Sequence, residues 1–121
     1  MQLCYLLEDT SFHGGQKVVF EQAQALQERG HEVKIVSKAG RPDWYDLRVP
    51  LVRVDAFLPS SLPECDFIVG TFWTTVRAAF QAEKGCPVHL CQGYEGDIEG
   101  YAPYRHEIEA VYRLPTLALT V

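Results

Sequence analysis

The sequence predicts an α/β fold built on a parallel sheet, and two observations carry that expectation. Short apolar stretches of strand length alternate along the chain with amphipathic stretches of helix length. Most of the short stretches are apolar on both faces, as in "DFIVGT" (66–71), the pattern of strands covered by helices on either side. At 121 residues the chain is read as one domain, 1–121, large enough to bury a core.

The first apolar run, Leu3 to Leu7, is a strand, and the polar loop "EDTSFHGG" follows it. From about Gly15 to Arg29, Val19, Ala23 and Leu26 recur at helical spacing, with Val18 and Phe20 widening the apolar face. Gly30 is expected to stop this helix as a left-handed cap. "EVKIVS" (32–37) is a short strand, and "KAGRPDWYD" (38–46) is rich in helix and strand breakers and so a loop. "VPLVRVD" (49–55) is a strand placed toward a sheet edge, because Pro50 cannot donate to a ladder.

"LPSSLPE" (58–64) is another loop before the strand at 66–71. A helix over about 74–84 turns Val76, Ala79 and Phe80 inward, with Gly85 expected to end it. "PVHLCQG" (87–93) is a strand, with His89 packed inside it. After a polar loop, Tyr104, Ile108, Val111 and Tyr112 share a helix face, Pro115 ends the helix, and "TLALTV" (116–121) is a last strand. A buried strand at the end of a chain is unusual for a finished domain, so a truncated domain is expected.

Composition narrows the function. Apolar residues at 47% and charged residues at 22% are ordinary globular values. A net charge of −5 disfavours nucleic acid as a partner, since phosphate binding needs a basic face. No apolar run reaches the roughly 18 residues needed to span a bilayer, and "MQLCYLLED" lacks the basic start of a signal peptide. Cys4, Cys65, Cys86 and Cys91 are scattered with no C-x-x-C pair, which fits a reducing, cytoplasmic compartment and no metal site. Cys4 and Cys91 read as small core residues.

In parallel sheets ligands bind beyond the C-terminal ends of the strands, which here selects 8–17, 38–48, 71–75 and 92–103. In the first of these, Gly14 and Gly15 stand where strand gives way to helix. A helix N-terminus offers unpaired N–H groups and a partial positive charge, and glycines let a ligand approach them. Neither G-x-G-x-x-G nor a Walker loop is present, so two readings stand at this point: a ligand site or a tight turn.

The longer stretch "HGGQKVVFEQAQALQERGHEVKIVS" resembles the opening of group-1, retaining glycosyltransferases of the GT-B fold, whose signature is a Gly-Gly loop, a helix ending in "RGHEV" and a short strand. "DFIVGTFWTTVRAAF" is similar to the fourth strand and following helix of that family, and "HLCQGYEGDIEGY" to members acting on cell-surface polysaccharides. The resemblance implies a Rossmann-like N-terminal domain, on the acceptor side of a two-domain enzyme whose C-terminal domain holds the nucleotide-sugar. That second domain is absent from this chain, which alone is expected to be inactive. The resemblance implies transfer without a cofactor or metal, from a nucleotide-sugar donor to a glycan or lipid-linked acceptor. It also implies peripheral contact with the inner membrane face. Gly14, Gly15 and Gln16 would approach the donor diphosphate and sugar. Lys17 adds a charge there or points to solvent. Many members carry a histidine just after the fourth strand, where this chain reads Thr71-Phe72-Trp73, so that role is not carried over and no catalytic residue is assigned.

A second constellation follows the fifth strand: Gln92, Tyr94, Glu95, Asp97, Glu99 and Tyr101. Carboxylates and amides bind sugar hydroxyls, and rings stack on pyranose faces, so the expected acceptor contacts are Trp73, Gln92, Tyr94, Glu95 and Asp97. A solvated acidic loop is the competing reading, and Trp73 equally caps the core. Glu95, Asp97 and Glu99 echo the start of a calcium loop, but its twelfth position is His106 rather than Glu. Trp44 and Tyr45 are expected to fold back on the sheet, and His13 and His31 to be loop and turn residues. No hydrolase triad or G-x-S-x-G turn stands out. The rival from another class is a flavodoxin-like binding module without catalysis. A nucleotide-sugar epimerase is disfavoured by the missing G-x-G-x-x-G. A truncated domain is also expected to self-associate through exposed apolar surface.

Overall fold

The computed structural model describes residues 1–120, so Val121 of the expected last strand lies outside the described residues. The chain runs β1 (Gln2–Leu7), α1 (Gly14–Glu28), β2 (Glu32–Ser37), β3 (Leu51–Arg53), β4 (Phe67–Gly70), α2 (Trp73–Ala82), β5 (Cys86–Cys91), α3 (Arg105–Tyr112) and β6 (Leu117–Thr120). The sheet has 6 strands in the order β3-β2-β1-β4-β5-β6, and every pairing is parallel. This is the predicted α/β, Rossmann-like fold. The predicted strand at 49–55 contracts to Leu51–Arg53, and it is an edge strand, as Pro50 required.

Alternation along β1 divides the core between two layers. Tyr5 and Leu7 join Ile35, Val69, Val88 and Leu90 beneath α1, which contributes Val19, Phe20 and Ala23. Cys4 and Leu6 join Val36 and Ile68 on the opposite face, against Ala79 and Ala82 of α2. A third cluster, Trp73, Val76, Ile108 and Val111, joins α2 to α3. Trp44 and Tyr45 fold back as expected and pack on Phe20 with ring centroids 5.5 and 5.3 Å away. The α1-side face of β6 stays open, with Leu117 and Leu119 exposed.

The helix ends show which glycines matter. Gly30 follows α1 at φ +93°, the left-handed stop its position predicts. At the end of α2 the expectation fails: the left-handed residue is Glu83, φ 54°, and the helix is over before Gly85. Gly85 serves contact instead, since a Cβ there would lie 2.5 Å from the Cys65 carbonyl oxygen. Cys4 is buried, whereas Cys91, expected in the core, is half-buried at the end of β5. Burial raises the Cys4 thiol to about 12, which keeps it neutral.

Candidate functional site

The strand order reverses between β1 and β4, and there the segments leaving the two strands part in opposite directions. A cleft of about 510 Å³ opens at this point, above the C-terminal ends of β1, β4 and β5. Its walls come from Leu7 to Asp9, Gly15 and Gln16, Thr71 and Phe72, and the segment after β5. Two helices, α1 and α2, begin at its rim, and they begin differently.

The start of α1 is bare. His13 precedes it in extended conformation without a side-chain cap, no acidic residue occupies the first turn, and the first backbone bond is Lys17 N–H to His13 O at 3.1 Å. The amides of Gly14, Gly15 and Gln16 are thus the orphan donors of a helix N-terminus. A Cβ on Gly14 would meet nothing within 4 Å. A Cβ on Gly15 would lie 2.8 Å from Gln92 Oε1, and the Gln92 amide donates to Gly15 O at 3.3 Å. Asp9 holds the approach loop, accepting from Ser11 N–H (3.0 Å), Ser11 Oγ (2.6 Å) and Gln16 Nε2 (3.0 Å). Lys17 points to solvent, 58% exposed and 3.8 Å from Glu21.

The start of α2 is filled from within. Thr75 Oγ accepts from the Thr71 and Phe72 amides, both at 3.0 Å, and donates to Phe72 O. Glu95 accepts the Trp73 amide at 3.0 Å, so a carboxylate from the loop after β5 caps the helix where Phe72 has no acceptor to offer. Gly70 makes the tight approach possible, because a Cβ there would fall 2.5 Å from Val76 N.

Glu95 is only 6% exposed. Its second oxygen accepts from the Tyr112 hydroxyl at 2.6 Å, tying the loop to α3. Burial, then the hydrogen bond and charge of Glu95, push the Tyr112 hydroxyl well above its ordinary range. The His89 ring packs edge-on to Tyr112, and its buried Nε2 has no hydrogen-bond partner among the described residues. Burial lowers the His89 pKa and the Glu95 charge opposes that shift only in part. Glu8 receives the Thr74 hydroxyl at 2.7 Å and pairs with Lys38 at 3.1 Å.

Of the residues expected to bind, Gly15, Gln16, Gln92, Tyr94 and Glu95 line the cleft. Gly14 stands beside it at the head of α1. Trp73 does not line it: as the first residue of α2 it is buried in the α2–α3 cluster, near Tyr104 and under Arg77. The ring that reaches the cleft is its neighbour Phe72. Asp97 is exposed and outside the lining. Glu8, Asp9, Phe72, Ile98 and Tyr101 complete the walls. Their common signal is position, just past the ends of β1, β4 and β5. Among the described residues no group of His, Cys, Asp and Glu gathers to hold a metal, and no helix is long and apolar enough to cross a membrane.

Fold and cleft together define a Rossmann-like α/β domain with a pocket at its switch point. No protein-family model matches the chain, and no curated protein matches it.

Proposed function

We propose that this chain is the N-terminal, acceptor-side domain of a retaining GT-B glycosyltransferase, which moves a sugar from a nucleotide-sugar to a glycan or lipid-linked acceptor. The observation that carries this reading is the uncapped N-terminus of α1, two glycines at its head, opening beside a cleft at the switch point. Charge grows on a departing diphosphate during sugar transfer. Fixed amide dipoles from Gly14, Gly15 and Gln16 would meet that charge without reorganising, which lowers the transition state more than the ground state. The donor nucleotide sits on the second domain of such an enzyme, the partner this reading requires. The reaction takes place in the cytoplasm or at the inner membrane face. Lys17 adds no charge, since it faces Glu21 and solvent.

The direct test is an amide-resolved NMR titration of the chain with pyrophosphate. The expected result is a set of shifts centred on Gly14, Gly15 and Gln16, lost in Gly15→Val. An absence of shifts there removes the donor-side role and leaves a binding module. The enzyme claim is tested separately by the length of the polypeptide in its source cells. A native chain no longer than these 121 residues overturns it.

A further inference from the structure

The cleft is chemically lopsided. One end meets the α1 amides, whereas the other is walled by Phe72, Tyr94, Ile98 and Tyr101 around the Glu95 carboxylate. Phe72 and Tyr101 stand edge to face, 5.4 Å between centroids, and Ile98 is 51% exposed at the mouth. Three carboxylates line the whole cleft, Glu8, Asp9 and Glu95, and no lining residue is Lys, Arg or His.

The nearby cations do not offset this. Lys38 neutralises Glu8 alone. Arg77 lies over the Trp73 ring and pairs with Glu107, and Arg105 pairs with Glu109. Asp9 and Glu95 receive only neutral donors: a backbone amide, a hydroxyl and a carboxamide at Asp9, a backbone amide and a phenol at Glu95. Each carboxylate keeps lone pairs for a further donor, and Asp9 is exposed.

We infer that this aromatic end is a subsite for a sugar bearing a protonated amine, and that it rejects sugars bearing a carboxylate. This deepens the acceptor-side reading above and rests on it. Aromatic faces accept both the C–H face of a pyranose and an ammonium group. A carboxylate facing an ammonium forms the stronger, charge-assisted hydrogen bond, whereas a second carboxylate meets like charge in a partly desolvated site.

The test is the NMR titration repeated with glucosamine, glucose and glucuronate, each at low and high salt. The expected order of affinity is glucosamine, glucose, glucuronate, with shifts at Phe72, Glu95, Ile98 and Tyr101. The ends of the series should differ by roughly tenfold or more, narrowing as salt rises. Tyr101→Ala weakens the binding of glucosamine and glucose. Asp9→Asn removes a charge at an exposed position while keeping the oxygen that accepts the loop's hydrogen bonds. Asp9 bonds Gln16 at the α1 end, so the variant should shrink the glucosamine-over-glucose preference through the overall charge of the cleft, most at low salt, without lowering stability. Glucuronate binding as tightly as glucosamine overturns the inference, and so does an absence of shifts at the four wall residues. Pyrophosphate shifts at Gly14 to Gln16 without amine selectivity overturn the subsite alone. Amine selectivity without pyrophosphate shifts overturns the donor reading alone.

Discussion

Helices α1 and α2 start from adjacent parallel strands, at the rim of one cleft, yet one N-terminus is open and the other is closed. At α1 neither His13 nor any acidic residue of the first turn caps the helix, so among the described residues its first amides have no side-chain acceptor. At α2 the first helical amide, that of Trp73, is taken up by Glu95 from another loop, and Thr75 holds the Thr71 and Phe72 amides that lead into the helix. A strand-to-helix turn is therefore not a ligand site by virtue of its shape. What decides is whether the protein's own side chains have already claimed the amides.

The largest expected effect lies at the closed end. Gly70→Ala puts a methyl into the backbone of Val76, and we expect about 3 kcal/mol of stability to be lost, read by urea unfolding. A fully folded, equally stable variant would break the contrast, since it would mean the closed end is as loose as the open one. Next, Glu95→Ala leaves the Trp73 amide without its acceptor and the Tyr112 hydroxyl with the Gly93 carbonyl at 2.7 Å instead, at a cost of about 2 kcal/mol by the same measurement. Tyr112→Phe costs less, about 1 kcal/mol.

A smaller effect appears with pH. The His89 pKa is lowered in the folded state, so the unfolded chain binds more protons as pH drops below 6.5. Stability contributed by neutral His89 is therefore present above 6.5 and lost as pH falls toward the lowered folded value. His89→Phe should flatten that part of the stability-against-pH curve. A slope unchanged in the variant would assign it to other groups.

The smallest effect sharpens the contrast most. Gly14 has a negative φ or an extended one and open space around it, so Gly14→Ala should stabilise the chain by about 0.5 kcal/mol. The same methyl narrows the approach to the α1 amides and should weaken pyrophosphate binding. Opposite signs for stability and binding mark a glycine kept for a ligand; equal signs mark a turn.

Much of the fold was legible because its signals are local. Helical spacing of Val19, Ala23 and Leu26 located α1, doubly apolar runs located β1 and β4, and Pro50 placed β3 at the edge. The misreadings came from contacts between distant segments. Gly85 looked like the stop of α2, but Cys65 is what requires it, and Glu83 ends the helix. Trp73 read equally as a sugar contact and as a cap on the core, and only the fold chose the second: helix α2 begins at that residue and turns its ring toward α3, leaving Phe72 to face the cleft. Glu95 looked like a freely offered sugar ligand, yet it is also a helix cap.

The sequence by itself determined the class of fold, the order of strands and helices, and the segments past the strand ends where a ligand would be met. Those features follow from periodicity and from turn residues, which act over a few neighbours. Tertiary structure alone decided which helix N-terminus stays open and where the negative charge gathers. Glu95 reaches the Trp73 amide across 22 positions of sequence only because β5 lies beside β4 in the sheet. Capping of that kind satisfies buried donors through space, and spacing along the chain carries no trace of it.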